Sequence, residues 1–141
     1  MASFRESEST PVREAAKILL MNPEGKLVLV SGESERVNGL GGGVETGQQI
    51  TDALFEELGQ EAGIKKDDVA DLEPAGIVEG VIQDGQARWY LYSGRLIPGH
   101  RPLQIGAEIK ALHFMTPEEA IKYQGLMSDL LRTAIKGRYF S

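Results

Sequence analysis

Residues 42 to 64 carry a glycine cluster that runs straight into an amphipathic segment bearing two glutamates four residues apart, Glu57 and Glu61. Five glycines in the nine residues from Gly39 to Gly47 predict a backbone-exposing loop with no regular element. From Ile50 to Ala62 the apolar residues Ile50, Ala53, Leu54, Leu58 and Ala62 recur at helical spacing, and Gly63 supplies the stop. A loop followed by one helix is therefore expected here.

On that helix Glu57 and Glu61 stand about 40° apart around the axis, at roughly 3.6 residues per turn. Ile50, Leu54 and Leu58 fall within about 100° of the pair, whereas Gln49, Asp52, Glu56 and Gly59 gather on the opposite side. The two carboxylates thus point toward the packed side, where an uncompensated charge is costly. A hard divalent cation provides compensation. Magnesium takes one or two carboxylates, keeps several waters, and leaves positions for phosphate oxygens. Gly41, Gly42 and Gly43 fit the same picture, because glycine lets backbone atoms approach an ion or ligand closely.

Residues 42 to 64 resemble the Nudix box. Gly42, Glu57, Leu58, Glu61, Gly63 and Ile64 match its pattern at the right spacings, and Glu45 and Gly47 match its frequent Gly-Gly-x-x-Glu-x-Gly opening. The similarity extends over about residues 13 to 137, through Asn22-Pro23-Glu24-Gly25-Lys26 and Phe114-Met115-Thr116-Pro117-Glu118-Glu119. It implies an α/β fold, the Nudix-type α/β/α sandwich with a mixed sheet between helices. It also implies hydrolysis of the pyrophosphate bond of a nucleoside diphosphate linked to another group, as in a nucleoside triphosphate, a nucleotide sugar or a dinucleotide. By the same resemblance Gly41, Glu57, Glu61 and Glu108 are the expected ligands of Mg²⁺ or Mn²⁺, with Glu57 and Glu108 both open as the catalytic base. Glu108 is chosen because it lies six residues before Phe114.

Three box positions depart from the family pattern. Gln48 stands where Glu is expected, Glu56 where Arg is expected, and Gln60 where the first Glu of a pair is expected. Family Arg residues steady the catalytic carboxylate and pair with the earlier Glu, and here both members of that pair are replaced. Gln60 removes a carboxylate that often holds metal through water, which weakens sites for further ions. An alternative is therefore a catalytically impaired Nudix domain that binds a nucleotide-like ligand or a protein partner.

Fifteen Lys and Arg against 21 Asp and Glu give a formal charge of -6, a field that disfavours binding a nucleic-acid polymer. A small phosphorylated substrate stays compatible, since a bound cation dominates its own surroundings. There are no cysteines, so disulfides, thiolate metal sites and a Cys nucleophile are excluded. No stretch approaches the roughly 20 apolar residues of a membrane span, and a cytoplasmic location is the default expectation. A homodimer is left open.

The 141 residues suit one domain. Residues 1 to 12 are polar and read as a flexible leader, with a single domain over 13 to 141. Residues 15 to 21 and 26 to 30 flank an Asn-Pro-Glu-Gly turn and predict a buried hairpin. Residues 76 to 82 and 88 to 94 flank Gln83-Asp84-Gly85-Gln86 and predict a second. A short strand is expected over 109 to 115, a helix capped by Thr116, and a last helix from Met127 through Leu130 and Leu131 to a stop at Gly137. Trp89, Tyr90 and Tyr92 are read chiefly as sheet packing, with stacking on a base as the alternative. His100 and His113 lack ligand spacing, and Arg36, Arg88, Arg95 and Arg101 are open as phosphate contacts or surface charges.

Overall fold

The structure, a computed structural model, describes residues 12–34, 36–82, 85–124 and 129–140. Among these, six strands form one sheet: β1 (Val12–Met21), β2 (Leu27–Ser31), β3 (Val37–Gly43), β4 (Val69–Ile82), β5 (Gly85–Leu96) and β6 (Ala111–Met115). Three helices accompany it, α1 (Ile50–Ala62), α2 (Pro117–Lys122) and α3 (Asp129–Tyr139). The strand order is β4-β5-β1-β3-β2-β6. β1 and β5 run parallel, and the remaining neighbours are antiparallel.

Both faces of this mixed sheet are covered, which is why β2 and the second half of β1, Ile18 to Met21, read as apolar runs without polar alternation. On one face Ala16, Ile18, Leu20, Val28 and Val30 pack against Leu54, Leu58 and Ala62 of α1. On the other, Leu19, Leu27 and Leu29 pack against Ala120 of α2 and Leu131 and Ile135 of α3. The period of two along each strand assigns alternate residues to the two layers. The result is the expected α/β/α sandwich.

The first hairpin forms its turn but not its ladder. Asn22 Oδ1 accepts from the amides of Glu24 and Lys26, and Gly25 takes a left-handed φ of 81°. Beyond the single pair Met21 and Leu27, however, the strands part and β3 enters between them. β3 pairs with β2 through residues 37 to 39 and with β1 through residues 40 to 43.

That insertion corrects a second expectation, because residues 39 to 43 lie in strand β3 and not in an irregular loop. Glycine here serves close approach. Gly41 has a φ of 132°, and a Cβ on it would collide with the Ala16 carbonyl of β1. The second hairpin forms as β4 and β5, although its turn residues Gln83 and Asp84 fall outside the described residues. So does Met127, and so do residues 1–11 of the expected leader. β1 itself starts at Val12. The last helix runs past Gly137 to Tyr139, and Phe140 N–H still donates to the Lys136 carbonyl. A helix tolerates glycine at a cost of about 1 kcal/mol, so Gly137 alone does not end it. Among the described residues no helix is long and apolar enough to cross a membrane.

Candidate functional site

α1 begins and ends where its sequence dictates. Gly63 adopts a left-handed φ of 70° and donates to the Gly59 carbonyl, while Ile64 N–H reaches back to Leu58, a C-terminal closure available because glycine has no Cβ to clash. Leu54 and Leu58 are fully buried, Glu57 and Glu61 half-buried, and Glu56 exposed. The glutamate pair therefore borders the core.

The glycine strand meets the helix at two points. Gly41 N–H donates to Glu61 Oε1 at 2.9 Å. Gly42 faces Glu57 so closely that a Cβ there would sit 2.6 Å from the Glu57 carboxyl carbon. Glycine at 42 makes room for that carboxylate.

A third carboxylate arrives from the loop before β6. Gln104 N–H donates to Ala62 O at 2.9 Å, and Gly106 N–H to Glu61 O at 3.1 Å. A Cβ at Gly106 would overlap the Gln60 carbonyl, so only glycine lets the chain lie this close to the end of α1. Two residues later Glu108 lines one cleft of about 440 Å³ together with Glu57, Gln60, Glu61, Ala107 and Ile109. Sequence reasoning overlooked Gly106, whose requirement for glycine appears only when loop and helix are packed.

Lys17 was also overlooked. It lies mid-strand in β1, opposite Gly41, and its ammonium donates to the carbonyls of Gly39 at 3.2 Å and Gly41 at 3.3 Å. The one signal for it in the sequence was a charged residue inside an apolar run, Ala15-Ala16-Lys17-Ile18-Leu19. Burial pulls the ammonium below the usual lysine range, and Glu61 and Glu57 oppose that pull. The carboxylates are displaced the other way. Burial raises Glu57, Glu56 and Glu108 raise it further, and Lys17 lowers it. Burial likewise raises Glu61, against the Gly41 amide and Lys17.

The donor set of this cleft suits a hard divalent cation: carboxylate oxygens, half-solvated, with room for water and phosphate. Among the described residues no three acidic or histidine side chains converge to ion-holding distance. That is compatible with magnesium, which needs only one or two carboxylates. Gly41, by contrast, directs its amide to Glu61 and its carbonyl to Lys17.

The departures from the box pattern also have positions. Gln48 Nε2 donates to Glu56 Oε1 at 3.3 Å on the outer side of α1, and Gln60 faces the cleft. Trp89 lines a second cleft of about 530 Å³ with Ala15, Gly43 and Thr46, one residue along β3 from Gly42. Tyr90 donates to Glu14 Oε2 at 2.6 Å, and Tyr92 packs on the α1-side core. His113 bonds Ser31 Oγ and His100 bonds the Arg101 carbonyl. Arg88, Arg95 and Arg101 pair with Glu79, Asp71 and Asp68 respectively.

A family model described as the NUDIX domain matches residues 11–133. Among solved structures, the chain is similar to the MutT protein from Methanosarcina mazei Go1, with 16% identity over 91% of this chain and 93% of that one and a TM-score of 0.77. It is similar to the E. coli ORF135 protein, with 25% identity over 92% of each chain and a TM-score of 0.72. It is similar too to the E. coli dihydroneopterin triphosphate pyrophosphohydrolase, with 16% identity over 88% and 92% and a TM-score of 0.74. Comparison with curated proteins finds no match.

Proposed function

The chain belongs to the Nudix family, and from that membership we propose that it is a metal-dependent hydrolase cleaving the pyrophosphate bond of a nucleoside diphosphate linked to another group. One observation carries the proposal: Glu57, Glu61 and Glu108, from two separate segments, line one cleft beside a strand whose glycines make space for them.

One or two of Glu57, Glu61 and Glu108 at a time would hold Mg²⁺ or Mn²⁺, with water in the remaining positions, and the cation when bound would supply Lewis acidity that draws charge from the phosphate oxygens. The side chains do the rest. Glu61, fixed by the Gly41 amide at 2.9 Å, is the stationary carboxylate. Glu57, whose carboxylate the glycine at 42 makes room for, is taken as the base of the Glu57 and Glu108 pair. Water oxygen attacks phosphorus, the bridging P–O bond breaks, and the water proton passes to Glu57. The cleft beside Trp89 offers an aromatic face for a nucleobase.

The test is turnover of a nucleotide panel with Mg²⁺ or Mn²⁺. Cleavage of at least one member, lost in Glu57→Gln, is expected; no cleavage across the panel ends the hydrolase reading. Gln60 in the cleft and the Gln48–Glu56 contact favour the second reading, a catalytically impaired domain that binds a nucleotide-like ligand. Its signature is ligand-induced thermal stabilisation without turnover.

A further inference from the structure

An ammonium in the middle of the central strand is costly to desolvate, and Lys17 is placed so that the cost is met by a particular set of atoms. Two of its three donors are within reach of the Gly39 and Gly41 carbonyls at 3.2 and 3.3 Å. Glu61, which accepts from the Gly41 amide at 2.9 Å, stands across Gly41 from that ammonium, and its charge and that of Glu57 oppose the desolvation of Lys17. Gly41 thus ties the two together, through its amide to Glu61 and its carbonyl to Lys17. A backbone carbonyl and two carboxylates are oxygen donors of the kind a hard cation takes. Here that carbonyl faces a fixed monovalent cation.

Gln60 is a second and independent observation. It faces the same cleft as Glu57, Glu61 and Glu108, contributing a neutral amide where a carboxylate would add negative charge. An ammonium linked to Glu61 through Gly41 and a neutral side chain in the cleft both reduce the divalent charge the cleft can accommodate.

We propose that Lys17 is a resident cation that occupies the Gly41 carbonyl and part of the charge balance of Glu57 and Glu61, leaving the cleft with a single divalent-ion site. This rests on the reading of the three glutamates as metal-holding. Lys17 acts through those groups and is a positioning residue.

The experiment counts Mn²⁺ bound to the full chain by the loss of the free-ion paramagnetic resonance signal, for the parent protein, Lys17→Met and Lys17→Arg. The parent is expected to bind one ion. Lys17→Met, which keeps an unbranched apolar stem but not the charge, is expected to bind a second ion or to bind the first at least about tenfold tighter. Lys17→Arg should match the parent.

Two ions on the parent protein, unchanged or weaker binding in Lys17→Met, or a second ion in Lys17→Arg overturns the inference while leaving the metal-holding reading intact. No ion on the parent or on Lys17→Met overturns both. If circular dichroism shows Lys17→Met unfolded, the parent's stoichiometry decides alone: one ion supports the proposal, and two or more reject it.

Discussion

Gln48 donates a hydrogen bond to Glu56 across the first turns of α1, Nε2 to Oε1 at 3.3 Å. One partner is neutral and the other anionic, so the contact is a hydrogen bond and not an ion pair. Glu56 now sits next to Glu57 and raises its carboxyl, after the larger effect of burial. Replacing Glu56 with Gln keeps an acceptor for Gln48 and removes that repulsion. The acid limb of the kcat/KM profile should then move to lower pH. A pH–rate profile that stays in place would show that Glu56 does not act on the catalytic carboxylate.

Glu57 should cost stability when no metal is present. Its folded pKa is raised, so the folded chain binds more protons than the unfolded chain between the ordinary glutamate value and the folded one. Metal-free stability therefore falls as pH rises through that window. Glu57→Gln is expected to melt higher than the parent at pH 7 in chelator, by on the order of 2 °C, and level with it at pH 4. A melting difference of the same size at both pH values would contradict a raised Glu57 carboxyl.

Gly106 holds the Glu108 loop against α1. Any side chain there meets the backbone of Gln60, which cannot swing away as a side chain end can. Gly106→Ala should lower stability by about 1–3 kcal/mol and should raise the Mg²⁺ concentration needed for half-maximal turnover, since Glu108 moves off the cleft. Denaturant unfolding and a magnesium titration read the two effects separately; a normal magnesium requirement would uncouple Gly106 from Glu108.

Asp68 anchors the far end of the same loop. It is buried at 4% exposure and accepts from the Lys65 and Arg101 amides and the Arg101 guanidinium. Against burial, those bonds hold its carboxyl below the usual range. The stabilisation is present above the unfolded aspartate value of about 3.9 and is lost as pH falls through the lower folded value. Asp68→Asn should destabilise by about 2 kcal/mol at pH 7, with the gap to the parent narrowing near pH 3. A pH-independent difference would assign the effect to shape and not to charge.

Much of this protein is legible one segment at a time. The bounds of α1 follow from apolar spacing and from Gly63, whose left-handed φ ends the helix. The start of α2 follows from Thr116 and Glu119, which exchange hydrogen bonds as a capping box. These signals act within a few residues, so the chain itself states them, and the i, i+4 spacing likewise puts Glu57 and Glu61 on one side of α1.

What the sequence by itself determined, then, is the local set: one helix with a carboxylate edge, glycines before it, and apolar strands in the right order. Only the tertiary structure decided that β3 enters between β1 and β2, that Gly39 to Gly43 are strand, that Gly106 admits Glu108 to the cleft, and that Lys17 takes the Gly41 carbonyl. Each of these depends on atoms distant in sequence approaching within van der Waals or hydrogen-bond range. Local preference is silent on such contacts, because their energy exists only once the sheet and helices have packed.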